Sequence, residues 1–181
     1  MKNSVIMGFM IATAMTGQLY AQGELAQAKV TKTVLTESFD TPDPAKSDKP
    51  KGWNNWKRAG DNVTFIYDKN FGYTDSFSIC LENTNRACWL MPVKVIPGAT
   101  YRLSGYARTE SETSGNVALS IEPRIISKLT GNDSGVSGQG SLVHEKIPAG
   151  VWTYLETVYQ APVSGEYPEG KLNNIALVCD V

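Results

Sequence analysis

The sequence predicts an all-β protein, a two-sheet antiparallel β-sandwich, and three observations carry that reading. Short runs alternate apolar and polar residues with a period of two, as in Tyr101, Leu103 and Gly105 against Arg102, Ser104 and Tyr106. Such alternation makes a strand with one buried and one wet face. Turn-forming residues punctuate the runs at short spacing, with Pro97-Gly98 as the clearest case. Pro presets φ and Gly accepts positive φ, so the chain reverses there at little cost. No segment carries a helical period of useful length, and eight or more short strands at this spacing argue for an antiparallel sandwich.

The elements follow in order. Residues 34–40 read as the first strand, and residues 41–51, with three Pro and several charges, as an exposed loop. Residues 63–67 combine β-branched and aromatic side chains and read as a strand. Residues 68–75 form a turn-rich connection carrying Phe71 and Tyr73. Residues 76–82 alternate, with Phe77, Ile79 and Leu81 inward, and residues 87–96 are the expected hairpin partner. Residues 101–109 and 117–122 are strands separated by a polar turn at 111–115, and Pro123 is expected to break the second before residues 125–129 continue it. Residues 130–140 are Gly- and Ser-rich and read as a loop; 141–146, 151–160 and 174–181 complete the strands.

The N-terminus speaks to compartment. Lys2, an apolar run over residues 5–15 and the small residue Ala21 before Gln22 have the layout of a secretory signal peptide. The run is short for a bilayer, since a spanning helix needs ~20 apolar residues. The expectation is a signal at 1–21, a flexible leader at 22–33, and one domain at 34–181. The product is then secreted, extracellular or periplasmic, with no membrane span after cleavage. With 17 Lys and Arg against 18 Asp and Glu, neither sign dominates. Nucleic acid calls for a basic face and is not expected as a partner.

Cys80, Cys88 and Cys179 make an odd count in a chain whose export permits disulfides. If the strands on either side pair symmetrically about Thr84, Cys80 and Cys88 face one another and can form a disulfide; the alternative is two half-buried thiols. A single His, His144, argues against zinc chemistry.

Several pieces, in order, resemble a carbohydrate-binding module of the CenC type, a jelly roll among the galactose-binding-like sandwiches. Residues 35–40 (Leu-Thr-Glu-Ser-Phe-Asp) resemble the opening strand, and residues 50–53 (Pro-Lys-Gly-Trp) the segment after it. Residues 76–81 resemble the strand before the first long hairpin. Residues 93–101 (Val-Lys-Val-Ile-Pro-Gly-Ala-Thr-Tyr) with Arg108 resemble the core pattern, and Trp152 through Ala161-Pro162 the late Trp strand. The similarity spans residues 34–180. It implies sugar binding, an attached or partner catalytic domain, and one structural Ca²⁺ near the joined termini, with Asp40 and Asp180 as its acidic ligands. Such modules end in two strands after the Ala-Pro, where this chain has residues 175–181. Either the last strand is merged and shortened, or the chain is truncated by one strand.

The candidate sugar-binding residues are Tyr106 and Arg108 on the wet face of one strand, Glu122 beside Ser120 on another, and the aromatics Trp56, Trp89 and Tyr73. Aromatic faces stack on the C–H faces of sugars, and charged or amide groups hold hydroxyls. Each has a plainer reading: a solvated face for Tyr106, Arg108 and Glu122, a loop anchor for Trp56 and Tyr73, and a core position for Trp89. Trp53 and Trp152 read as core. No nucleophile or acid/base pair marks a catalyst. The sequence therefore predicts a non-catalytic module that binds a polysaccharide or oligosaccharide. An adhesion module of the same fold and a small secreted hydrolase or lyase are the alternatives.

Overall fold

The computed structural model describes residues 4–15, 32–83, 86–111, 117–136 and 139–180. Most of the polar turn at 111–115, most of the 22–33 leader, Thr84 and Val181 lie outside the described residues. The protein is all-β, and its strands pair antiparallel throughout in two sheets. The strands are β1 (Ser4–Met15), β2 (Lys32–Glu37), β3 (Asn54–Lys57), β4 (Thr64–Asp68), β5 (Ser78–Glu82), β6 (Ala87–Lys94) and β7 (Thr100–Thr109). They continue with β8 (Val117–Ser127), β9 (Asp133–Gly135), β10 (Ser141–Glu145), β11 (Thr153–Gln160), β12 (Glu166–Tyr167) and β13 (Gly170–Asp180).

The first sheet runs β11-β7-β1-β5-β4, with β2 alongside β1; the second runs β10-β8-β13-β6-β3, with β12 on β13 and β9 on β8. Alternation explains the core. Ile79 and Leu81 of β5 with Tyr101 and Leu103 of β7 come from the first sheet. Trp89 of β6, Leu119 and Ile121 of β8, and Ile175 and Leu177 of β13 come from the second, and all are buried in one cluster. Such burial is the main driving force for folding.

Local chemistry fixes the ends of strands. The Pro97-Gly98 turn forms as expected, with Gly98 at φ 78° and the Ile96 N–H donating to the Tyr101 hydroxyl at 2.6 Å. The 35–40 and 50–53 segments are tied through Glu37, whose carboxylate accepts from the Phe39 N–H (2.7 Å) and the Trp53 indole N–H (3.2 Å). Phe39 and Trp53 are then buried against each other, ring centroids 5.4 Å apart.

Three expectations need correction. Residues 76–82 and 87–96 do not form a hairpin: β5 pairs with β1 and β4 in the first sheet, β6 with β13 and β3 in the second. Both strands bury their odd-numbered residues in the shared core, so the link between them carries the chain from one sheet to the other. Cys80 and Cys88 therefore do not face one another, and all three cysteines are buried thiols outside any disulfide. Cys88 packs with Leu90, Ala176 and Val178 in a small cluster apart from the main core, while Cys179 belongs to the main core. Pro123 does not break its strand. It stands opposite Ile175 within β8, next to a register shift at Leu172/Asn174 that absorbs the irregularity. Residues 4–15 form β1, between β7 on one edge and β5 and β2 on the other.

Candidate functional site

The outer face of the first sheet carries the candidate site. On β7 the even-numbered residues Arg102, Ser104 and Tyr106 point away from the core formed by Tyr101 and Leu103. β11 lies alongside in register, with Tyr154 opposite Tyr106 and Glu156 opposite Ser104. The connection from β4 to β5 folds over this face. Its 3-10 turn at Tyr73–Asp75 places the Tyr73 ring on that of Tyr106, centroids 3.8 Å apart and 11° from parallel.

Around this stack the rings form a continuous cluster. Tyr154 meets Tyr106 at 5.5 Å and 62°, Trp152 meets Tyr73 at 5.8 Å and 70°, and Phe71 lies 5.9 Å from Trp152. The two tilted contacts, Tyr106–Tyr154 and Tyr73–Trp152, suit the aromatic quadrupole, whereas Phe71 and Trp152 stack at 24°. The loop is held by its own hydrogen bonds: Ser76 Oγ to the Tyr73 carbonyl and Ser78 Oγ to the Phe71 carbonyl, both at 2.5 Å. Gly72 is needed because a Cβ there would stand 2.1 Å from the Ser76 carbonyl oxygen. Thr74 adopts φ 55°, ψ 44°, a left-handed conformation unfavourable for a β-branched residue.

Between loop and strands lies an open cleft of about 470 Å³, lined by Tyr73, Thr74, Arg102, Ser104, Gly105, Tyr106 and Tyr154. One face of Tyr106 is taken by Tyr73, so the ring most open to a ligand is Tyr154, which is 50% exposed. The Tyr154 hydroxyl donates to Glu156 Oε2 at 2.6 Å, and the Arg102 Nε stands 3.9 Å from the same oxygen. Burial, and then the bond to Glu156, push the Tyr154 phenol above its ordinary range. The bond to Tyr106 is the main cause of a like shift for Tyr73. Both phenols stay protonated at neutral pH, and with the Tyr154 proton committed to Glu156 its oxygen is left to accept. The formal charges of Arg102 and Glu156 cancel.

Of the residues singled out in the sequence, the structure brings together Tyr73 and Tyr106. Arg108 does not line the cleft: its guanidinium lies 5.1 Å from the Phe71 ring centroid, with Nε 3.1 Å from Glu110 Oε1. Trp89 faces the core at 2% exposure, edge-on to Phe65, and its indole N–H donates to the Cys80 carbonyl at 3.0 Å. Parity decided this, because odd-numbered residues of β6 point inward. Trp56 (48% exposed) and Glu122 belong to β3 and β8 of the second sheet, away from the cleft. Trp152, expected in the core, is half-buried within the surface aromatic cluster.

Sequence reasoning passed over Arg102, Tyr154 and Glu156. A signal was available: all three share the parity of the wet face on their strands.

The two acids expected to hold calcium lie in different surroundings. Asp40 Oδ1 accepts from the Phe77 N–H at 3.0 Å, whereas Asp180 lies across from Cys88 in the second sheet. Among the described residues no group of three or more His, Cys, Asp or Glu is placed to hold a metal ion, and Ca²⁺ wants six or more oxygens. No family model matches the chain, and no curated protein matches it.

Proposed function

We propose that this protein is a non-catalytic carbohydrate-binding module, its two sheets packed as a jelly-roll sandwich of the CenC type, secreted to support an attached or partner glycan-degrading enzyme. The observation that carries the reading is the cleft, where the exposed Tyr154 ring stands beside a fixed set of hydroxyl, guanidinium and carboxylate groups. A sugar presents C–H patches to a ring and hydroxyls to such groups. The loop is bonded in place before any ligand arrives, which lowers the ordering cost of binding.

The cleft also favours an uncharged sugar. Its Arg102 already has Glu156 within 3.9 Å, so a uronate would have to compete with a carboxylate held by Tyr154. A hydrolase reading is less well supported, because glycoside hydrolysis ordinarily uses two carboxyl groups flanking the bond. Glu156 is a carboxylate bonded to a cleft-lining ring, and it serves as an acceptor there.

The test is affinity electrophoresis of the full chain in gels containing soluble β-glucan, xylan, mannan, pectin or alginate. Retardation by a neutral polymer, lost in a folded Tyr154→Ala variant, is the expected result. Absence of retardation by every polymer from a folded protein would move the reading to an adhesion module.

A further inference from the structure

One segment of the chain points in two directions. Residues 1–21 have the layout of an export signal, a segment that is cut away, yet residues 4–15 form the strand that holds the first sheet together. Along one edge β1 pairs with β7, from Val5 opposite Thr109 to Met15 opposite Thr100. Along the other edge its first half pairs with β5 (Met7 opposite Ile79) and its second half with β2 (Ile11 opposite Thr36). Among the described residues β2 pairs with β1 alone. Met7 is 2% exposed and packs in the core, beside Ile79, Leu81 and Trp89.

Removing β1 would cost more than one strand. The facing edges of β5 and β7 would lose their hydrogen-bond partners, β2 would lose its only pairing, and the core would lose Met7. Unpaired ladder groups are costly when buried and adhesive when exposed. β5 and β7 both run antiparallel to β1, so they run parallel to each other. Closing the gap directly would require them to approach by about one strand spacing, ~4.8 Å, and would still leave β2 without a partner.

We propose that the position between β5 and β7 is a strand-acceptor site. Residues 4–15 fill it in the uncleaved chain. Once they are removed, it takes an extended segment of another polypeptide that runs antiparallel to β7 and is apolar where Met7 stands. Recognition is strand addition: the main chain supplies hydrogen bonds and the Met7 pocket supplies selectivity. The inference is independent of what the cleft binds.

The test uses the full chain with a protease site introduced within residues 16–31 and cut after folding. The expected result is that the fragment carrying residues 4–15 stays bound through gel filtration. A fluorescein-labelled synthetic peptide of residues 4–15 should then enter, either by exchange into the cut native protein or on refolding of the remainder stripped of its own fragment. Peptide carrying Met7→Asp should bind at least about tenfold more weakly. Loss of the fragment on cutting, with an unchanged thermal transition and no peptide uptake, would mean that the sheet closes without β1 and would overturn the proposal. Retention with neither exchange nor reconstitution would make β1 a permanent strand, and would overturn it equally.

Discussion

The outer faces of the two sheets follow the same alternation and end up with different chemistry. The first face carries Arg102, Tyr106, Tyr154 and Glu156 beneath a folded-over loop, and the two together enclose a cleft. The second has a floor of small or aliphatic residues (Cys88, Ala176, Val178), with Trp56 exposed on the edge strand β3. Both faces look sugar-competent as one-dimensional patterns. What separates them is the β4–β5 connection, which crosses one face and stacks Tyr73 on Tyr106. A wet face becomes a candidate site where a second element supplies a wall.

The comparison is sharpest for the two tryptophans that sequence reasoning treated alike. Trp89→Ala should destabilise the protein by ~3–5 kcal/mol, the usual cost of deleting a large core aromatic, and it also removes the bond to the Cys80 carbonyl. Trp56→Ala, at an exposed edge, should stay within ~0.5 kcal/mol. Urea denaturation of both variants measures the gap, and similar values would place Trp56 in a packed environment that the fold does not give it.

The next effect separates the faces as binding surfaces. Tyr154→Ala should weaken binding to the retained polymer by about tenfold, or ~1.4 kcal/mol, while Trp56→Ala leaves it unchanged. Quantitative affinity electrophoresis distinguishes the two, and the reverse pattern would move the site to the second sheet.

A smaller effect tests the charge balance of the cleft. Glu156→Gln keeps an acceptor for the Tyr154 hydroxyl but removes one negative charge beside Arg102. Retention by alginate or pectin should rise a few-fold relative to the parent protein and fall again with added salt.

The smallest effect lies on the second face. Although Glu122 is an exposed residue overall, partial desolvation of its carboxyl and the negative charge of Asp180 hold it above the usual carboxylate range. The folded state then binds the proton more tightly than the unfolded chain. Stability is fully present at acid pH and declines as pH rises through the ordinary carboxylate range up to the raised folded value. Glu122→Gln should match the parent at acid pH and show a slightly higher Tm at neutral pH. Thermal melts across that range check it, and a lower Tm at neutral pH would mean that Arg86 and Arg124 outweigh Asp180 there.

Alternation and turn chemistry by themselves determined the class of this protein. They located the strands around Pro97-Gly98, gave Tyr106 and Arg108 an outward face, and made Ile79, Leu81 and Leu103 core residues, because those properties depend on neighbours within a few positions. Tertiary structure alone decided which strands are partners. Local alternation is the same whether a following strand pairs with its predecessor or crosses to the opposite sheet, so Cys80 and Cys88 looked like a facing pair and are not. The same ignorance of partners hid the cleft. Tyr154 and Glu156 are 48 or more residues from Arg102 and Tyr106, and only the β7–β11 register sets them side by side. It also hid the second identity of residues 4–15, whose apolar run suits an export signal and a buried strand equally, and which only the gap between β5 and β7 assigns to a sheet.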